Sequence, residues 1–142
     1  MPTRKATAQW EGTLKAGKGT FKGESGLSGN YSFTSRFESG GGSNPEELLA
    51  AAHAACYSMA LNVALERAGT PAQRVETEAA CTIEKVGEKF QITTMRLKVR
   101  ASAPGVDDAT FLKMAEATKD GCPVSGALKG NVKMELDAQL VR

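Results

Sequence analysis

The sequence predicts an α+β fold built on an antiparallel sheet and one unusually long, apolar helix. Three observations point there. Short alternating segments separated by glycines fill the first third of the chain. A capped run of small and apolar residues occupies the middle. Longer alternating segments, interrupted by short helical patterns, make up the rest. With no internal repeat and no evident boundary, residues 1–142 read as a single domain, long enough to bury one core.

From Lys5 to Glu38 the pattern is that of a β-meander, opened by a strand over Lys5–Glu11 and punctuated by Gly12, Gly17, Gly19, Gly23, Gly26 and Gly29. Its last segment alternates Tyr31, Phe33, Ser35 and Phe37 against Ser32, Thr34, Arg36 and Glu38. This predicts a strand with Arg36 turned away from the aromatic face. Gly40-Gly41-Gly42 reads as a flexible hinge.

Ser43-Asn44-Pro45-Glu46-Glu47 is a strong helix start. Asn44 suits the cap, Pro45 the first helical position and Glu47 the capping-box position. The helix is expected to run to about Ala68, with Gly69 past its end and Pro71 beyond. Leu48, Ala52, Ala55, Met59 and Val63 recur at helical spacing, and so many alanines imply close approach by a second helix or backbone.

Two strands follow, turning at Val86-Gly87-Glu88. Val75, Thr77, Ala79, Cys81 and Ile83 share one face of the first. The second changes phase between Ile92 and Met95, which predicts a bulge near Thr93-Thr94. Asp107 or Asp108 caps a helix reaching about Asp120, and Gly121 ends it. Cys122 stands at a cap position before Pro123 and a short helix to about Lys129. A final strand turns Val132, Met134, Leu136, Ala138 and Leu140 inward.

Composition narrows the function classes. A net charge of +2 provides no basic field for nucleic acid. No run approaches about 18 consecutive apolar residues, so no membrane span is expected. Met1-Pro2-Thr3-Arg4-Lys5 lacks the apolar stretch of a signal peptide, which leads to the expectation of a cytoplasmic protein. In that reducing compartment three cysteines, an odd number, do not make a disulfide framework. Any paired thiols would be transient and catalytic.

Cys56 and Cys122 are the candidates, because Cys81 lies among apolar neighbours on a strand. Cys122 at a helix start is in a setting that favours thiolate. Cys56, three turns into its helix, needs a nearby cation, and Arg36 could fold back to supply one. His53 is one turn before Cys56. It reads either as a packing residue or as the base of a Cys–His pair, and one histidine is too few for a zinc site, so no metal or cofactor is expected. Glu46 and Cys56 are ten positions apart, roughly 15 Å on a continuous helix. If both serve one site, either the helix is broken or two subunits share the site.

Trp10-Glu11-Gly12, Gly17-Lys18-Gly19, Arg36-Phe37-Glu38, Asn44 through Leu48, Ala51 through Cys56, Ser58 through Leu61 and Gly121 through Ser125 together resemble the osmotically inducible protein C (OsmC) family. The sister group of that family is the organic hydroperoxide resistance proteins. Trp10-Glu11-Gly12, Arg36-Phe37-Glu38 and His53 are more similar to OsmC proper. Tyr57 in place of Phe, the bare triple glycine and Cys81 are mild departures. The resemblance implies an OsmC-like fold, an antiparallel sheet packed with a long central helix and shorter ones, in an intertwined homodimer with sites at the interface. It implies a thiol peroxidase for organic hydroperoxides in which Cys56 is peroxidatic and Cys122 resolving. Arg36 and Glu46 match the family's polar partners, and the reductant would be a dithiol, of which a lipoyl-type dithiol is one. A Cys56/His53 thiol hydrolase and a non-catalytic binder of hydrophobic ligands stand as alternatives.

Overall fold

The computed structural model describes Met1–Arg142, and the chain divides into two units, Met1–Leu48 and Leu49–Arg142. The division falls inside the long helix, at a point where the sequence carries no linker.

The first unit opens with the meander: β1 (Ala6–Glu11), β2 (Lys18–Gly23) and β3 (Ser28–Tyr31), antiparallel in that order. Gly19 is required by its cross-strand neighbour. A Cβ there would lie 2.5 Å from the Tyr31 ring, which covers the glycine and meets Trp10 at 5.5 Å. Every residue of β1 is exposed in the single chain.

The sequence expectation fails just after Tyr31. Instead of a fourth strand, Phe33–Phe37 form a one-turn helix, α1. Ser32 caps it: the Ser35 N–H donates to Ser32 Oγ and the Ser32 N–H to Ser35 Oγ, a reciprocal capping box. Phe33 and Phe37, four residues apart, meet at 5.3 Å with their rings tilted by 50°. Arg36 therefore does not point away from an aromatic strand face; its guanidinium lies 5.2 Å from the Phe37 ring centroid.

Helix α2 runs unbroken over Pro45–Arg67. Its start follows the expectation, with the Glu47 N–H donating to Asn44 Oδ1 at 2.7 Å, while the Glu47 carboxylate takes the Ser43 hydroxyl. Its end is a Schellman motif: Thr70 N–H reaches Leu65 O, Gly69 N–H reaches Glu66 O, and Gly69 has φ +83°. The buried stripe is not the one the spacing suggested. His53, Tyr57, Leu61 and Leu65 are buried, whereas Ala52, Ala55 and Met59 are exposed. The helix has two apolar faces, and the chain covers one of them. By length and composition α2 would also suffice to cross a membrane, contrary to the expectation from consecutive apolar residues.

In the second unit, β4 (Arg74–Val86) and β5 (Lys89–Ser102) form a long antiparallel hairpin, with the bulge where the sequence predicts it: Thr82 pairs Thr94 and Ile83 pairs Ile92, leaving Thr93 extra. Helices α3 (Asp108–Gly121) and α4 (Pro123–Leu128) then carry the chain back. The final strand, β6 (Lys133–Leu140), therefore joins β5 in parallel, a correction to the all-antiparallel sheet. A crossover of this length is what a parallel neighbour demands. Met95, Leu97, Val99 and Ala101 of β5 meet Tyr57, Leu61 and Leu65 of α2 and Phe111 and Ala115 of α3 in one core cluster. Each large member contributes about 1.5–3 kcal/mol on burial.

Candidate active site

Arg36 and Glu46 are brought together within the first unit. Asn44 Nδ2 donates to Ser35 O at 2.8 Å and Ser35 Oγ to Ser43 O at 2.7 Å, tying α1 to the residues before α2. On that frame Arg36 Nε and Nη2 donate to the two Glu46 oxygens at 3.1 and 3.2 Å. The fork is bidentate and charge-assisted, and Glu46 is buried while Arg36 keeps about a third of its side chain exposed at 36%. Beside Arg36, a hollow of about 320 Å³ is lined by Trp10, Leu14, Tyr31, Phe33 and Phe37.

Cys56 and Cys122 are brought together within the second unit. Cys122 ends α3 and opens α4, with extended backbone (φ −72°, ψ 146°) and its N–H on Thr118 O. Cys56 projects from α2 toward it, and both cysteines line a groove of about 560 Å³ whose remaining walls include Met59, Val63, Met114, Pro123 and one cation, Arg67, which is not among the groups that shift the Cys56 thiol. None of the three cysteines is in a disulfide. Burial pushes the Cys56 thiol up, the Val124 N–H pulls it down, and hydrogen bonding and like charge from Cys122 push it up again. The net direction is upward, so the expectation of a primed Cys56 thiolate is not met by the groups that act on it here. Cys81 is half-buried on β4, packed against the core as expected.

His53 does not reach Cys56. Its Nε2 lies 2.7 Å from Ser125 Oγ on α4, and its Nδ1 is buried without a partner. That orphan selects the tautomer. A buried N–H with no acceptor costs about 1–3 kcal/mol, so the proton belongs on Nε2, where an acceptor exists. Burial also lowers the His53 pKa, which keeps the ring neutral. Ser125 Oγ in turn lies 3.0 Å from Cys122 Sγ, and the Ser125 N–H donates to the same sulfur at 3.4 Å. Next to His53, Tyr57 donates to Ala115 O at 2.8 Å, and burial first, then Glu116 and Cys122, raise its pKa.

Comparison with known proteins shows the family. A family model described as OsmC-like protein matches residues 38–137. The chain belongs to the OsmC-like family. A peroxiredoxin OsmC of Escherichia coli strain K12 is 44% identical over 134 residues, covering 93% of this chain and 94% of its own. An organic hydroperoxide resistance protein of Xanthomonas axonopodis pv. citri is 30% identical over 99 residues, 68% of this chain and 67% of its own. Among solved structures, an organic hydroperoxide resistance protein from Elizabethkingia anophelis, with crystallant-derived thiocyanate bound, aligns with TM-score 0.75 at 27% identity over 99% of this chain and 98% of its own. OhrB of Bacillus subtilis aligns with TM-score 0.75 at 24% identity over 95% and 98%, a likeness of fold.

For this OsmC-like chain, sequence reasoning named Arg36, Glu46, Cys56 and Cys122 and passed over Ser125. A signal was present: His53 is three residues before Cys56, and Ser125 is three residues after Cys122, on the same side of its turn.

Proposed function

We propose that this chain is a thiol peroxidase that reduces organic hydroperoxides to alcohols through Cys56 and Cys122. The observation that carries the reading is two thiols, neither in a disulfide, on one apolar groove, drawn from segments 66 residues apart in sequence (122 less 56). The names of the relatives, peroxiredoxin and organic hydroperoxide resistance protein, support a peroxide-related function. The cycle is closed by chemistry. The Cys56 sulfur attacks the terminal peroxide oxygen; an S–O bond forms, the O–O bond breaks, and the alkoxide leaves with a proton as alcohol. Cys56 is then a sulfenic acid. The Cys122 sulfur attacks it, an S–S bond forms, the S–O bond breaks and water leaves. An external dithiol, lipoyl-type or otherwise, returns two electrons and restores both thiols. Methionines and Val63 along the groove suit an alkyl group. Cys56 and Cys122 as thiols outside any disulfide suit a reducing cytoplasm.

Cys56 needs a cation to ionise, and we assign that role to the Arg36–Glu46 fork of a second copy. The unbroken α2 separates Glu46 from Cys56 by ten positions, roughly 15 Å. The exposed Ala52, Ala55 and Met59 offer a surface a second copy would cover. Arg36 would stabilise the thiolate and the charge on the departing oxygen, with Glu46 holding the guanidinium in plane. The test adds one equivalent of an organic hydroperoxide to reduced protein, counts thiols and maps the product by peptide mass. Two thiols lost, joined as Cys56–Cys122 with Cys81 intact, is the expected outcome. An unchanged thiol count would overturn the assignment.

A further inference from the structure

We propose that His53 and Ser125 are positioning residues that aim a hydroxyl proton at Cys122 and so equip it for the disulfide step; this rests on the peroxidase reading above. Three buried groups stand in line: His53 Nε2, Ser125 Oγ at 2.7 Å from it, and Cys122 Sγ 3.0 Å further on. His53 and Ser125 are 0% exposed and Cys122 is 1% exposed, so no solvent hydroxyl competes for these partners. The orphaned Nδ1 places the ring proton on Nε2, which donates to Ser125 Oγ. The serine's own proton then has one acceptor in reach, the cysteine sulfur. With the Ser125 N–H, that sulfur faces two donors from one residue.

The arrangement matters where charge gathers on Cys122. In the resolving step its thiol proton departs, its sulfur bonds to the Cys56 sulfur, the S–O bond of the sulfenic acid breaks, and the hydroxide leaves with a proton as water. During reduction the dithiol attacks the more exposed Cys56 sulfur, and the electron pair of the breaking S–S bond settles on Cys122. Both donors stabilise that charge. His53 acts through Ser125 and touches no reacting atom.

The test separates the two half-reactions. Reduced wild type, His53→Leu, His53→Gln and Ser125→Ala are mixed with one equivalent of cumene hydroperoxide. Sulfenic acid is trapped with dimedone at timed intervals and disulfide is measured by mass. His53→Leu and Ser125→Ala should oxidise Cys56 at the wild-type rate yet form the disulfide about tenfold more slowly, the worth of one such hydrogen bond. His53→Gln, whose amide can present an N–H near the Nε2 position, should recover most of the rate. Should His53→Leu not fold, Ser125→Ala, which removes one atom, carries the test. Disulfide formation at the wild-type rate in Ser125→Ala, or equal slowing of both steps, overturns the proposal. A wild type that loses no thiols to the hydroperoxide would instead defeat the peroxidase reading.

Discussion

Acidification is a sharp probe of the site, because His53 is the single histidine in the chain. Burial lowers its pKa from the ordinary value of 6.5, so the folded protein holds the ring neutral where the unfolded chain protonates it. The unfolded state then binds one more proton, and stability falls as pH drops through 6.5 while remaining full above it. The slope is at most about 1.4 kcal/mol per pH unit, and by pH 5.0 the loss reaches at most about 2 kcal/mol. For a chain of this length, with an unfolding entropy of roughly 0.3 kcal/mol/K, that is at most about 7 °C in melting temperature. Ordinary carboxylates titrate lower and contribute little in this window. The assay is thermal melting by circular dichroism from pH 7.5 to 5.0 at fixed protein concentration, comparing wild type with His53→Gln. The wild-type curve should bend downward below pH 6.5 and the variant's should stay flatter. Parallel curves would refute a buried neutral His53 and, with it, the tautomer argument.

Further outcomes are expected at three positions. Tyr57→Phe removes a buried hydroxyl bonded to Ala115 O and should cost about 1 kcal/mol, roughly 3 °C, in the same melts, with hydroperoxide turnover retained. Ala55→Glu puts a charge on the exposed apolar face of α2, at a position outside the groove; sedimentation should shift from two copies toward one, with loss of peroxidase rate. Arg36→Ala leaves the buried Glu46 carboxylate unpaired and should cost about 1–3 kcal/mol, below the fully buried limit because the arginine is partly exposed. Arg36→Lys should restore part of that stability in urea titration while leaving kcat/KM at least about tenfold low, since an ammonium cannot reproduce the fork.

Features that depend on near neighbours were legible in the sequence. Asn44 and Gly69 bracket α2, Asp107 caps α3 through the Thr110 N–H, and the phase change between Ile92 and Met95 marks the bulge at Thr93. The segment after Tyr31 was misread for a definable reason. Phe33 and Phe37 are four apart, which satisfies both a strand of period two and one helical turn, and the Ser32–Ser35 box decides for the turn. Alternation along β6 gives its inward face but not its direction, which is set by the α3–α4 crossover. The two cysteines were legible as candidates from their surroundings. The His53–Ser125 contact, spanning 72 positions, is a tertiary fact that no local pattern contains.

The two faces of α2 bear on why its thiol is, in one copy, unready. The inward row from His53 to Leu65 packs in the core, and the outward row of Ala52, Ala55 and Met59 is exposed. Cys56 sits between these rows, half-buried, where desolvation holds it protonated. A protonated thiol is a poor nucleophile toward peroxide. On the proposed reading a second copy supplies the missing cation at the moment it covers the outward face, so association and activation are one event. The Ala55→Glu chain should therefore keep both thiols, the groove and the His53–Ser125–Cys122 line, yet react slowly with hydroperoxide at neutral pH. Raising the pH should recover much of that rate by ionising Cys56 directly. If the dissociated variant instead reacts as fast as wild type at neutral pH, the thiolate owes nothing to a second copy, and the shared site is wrong.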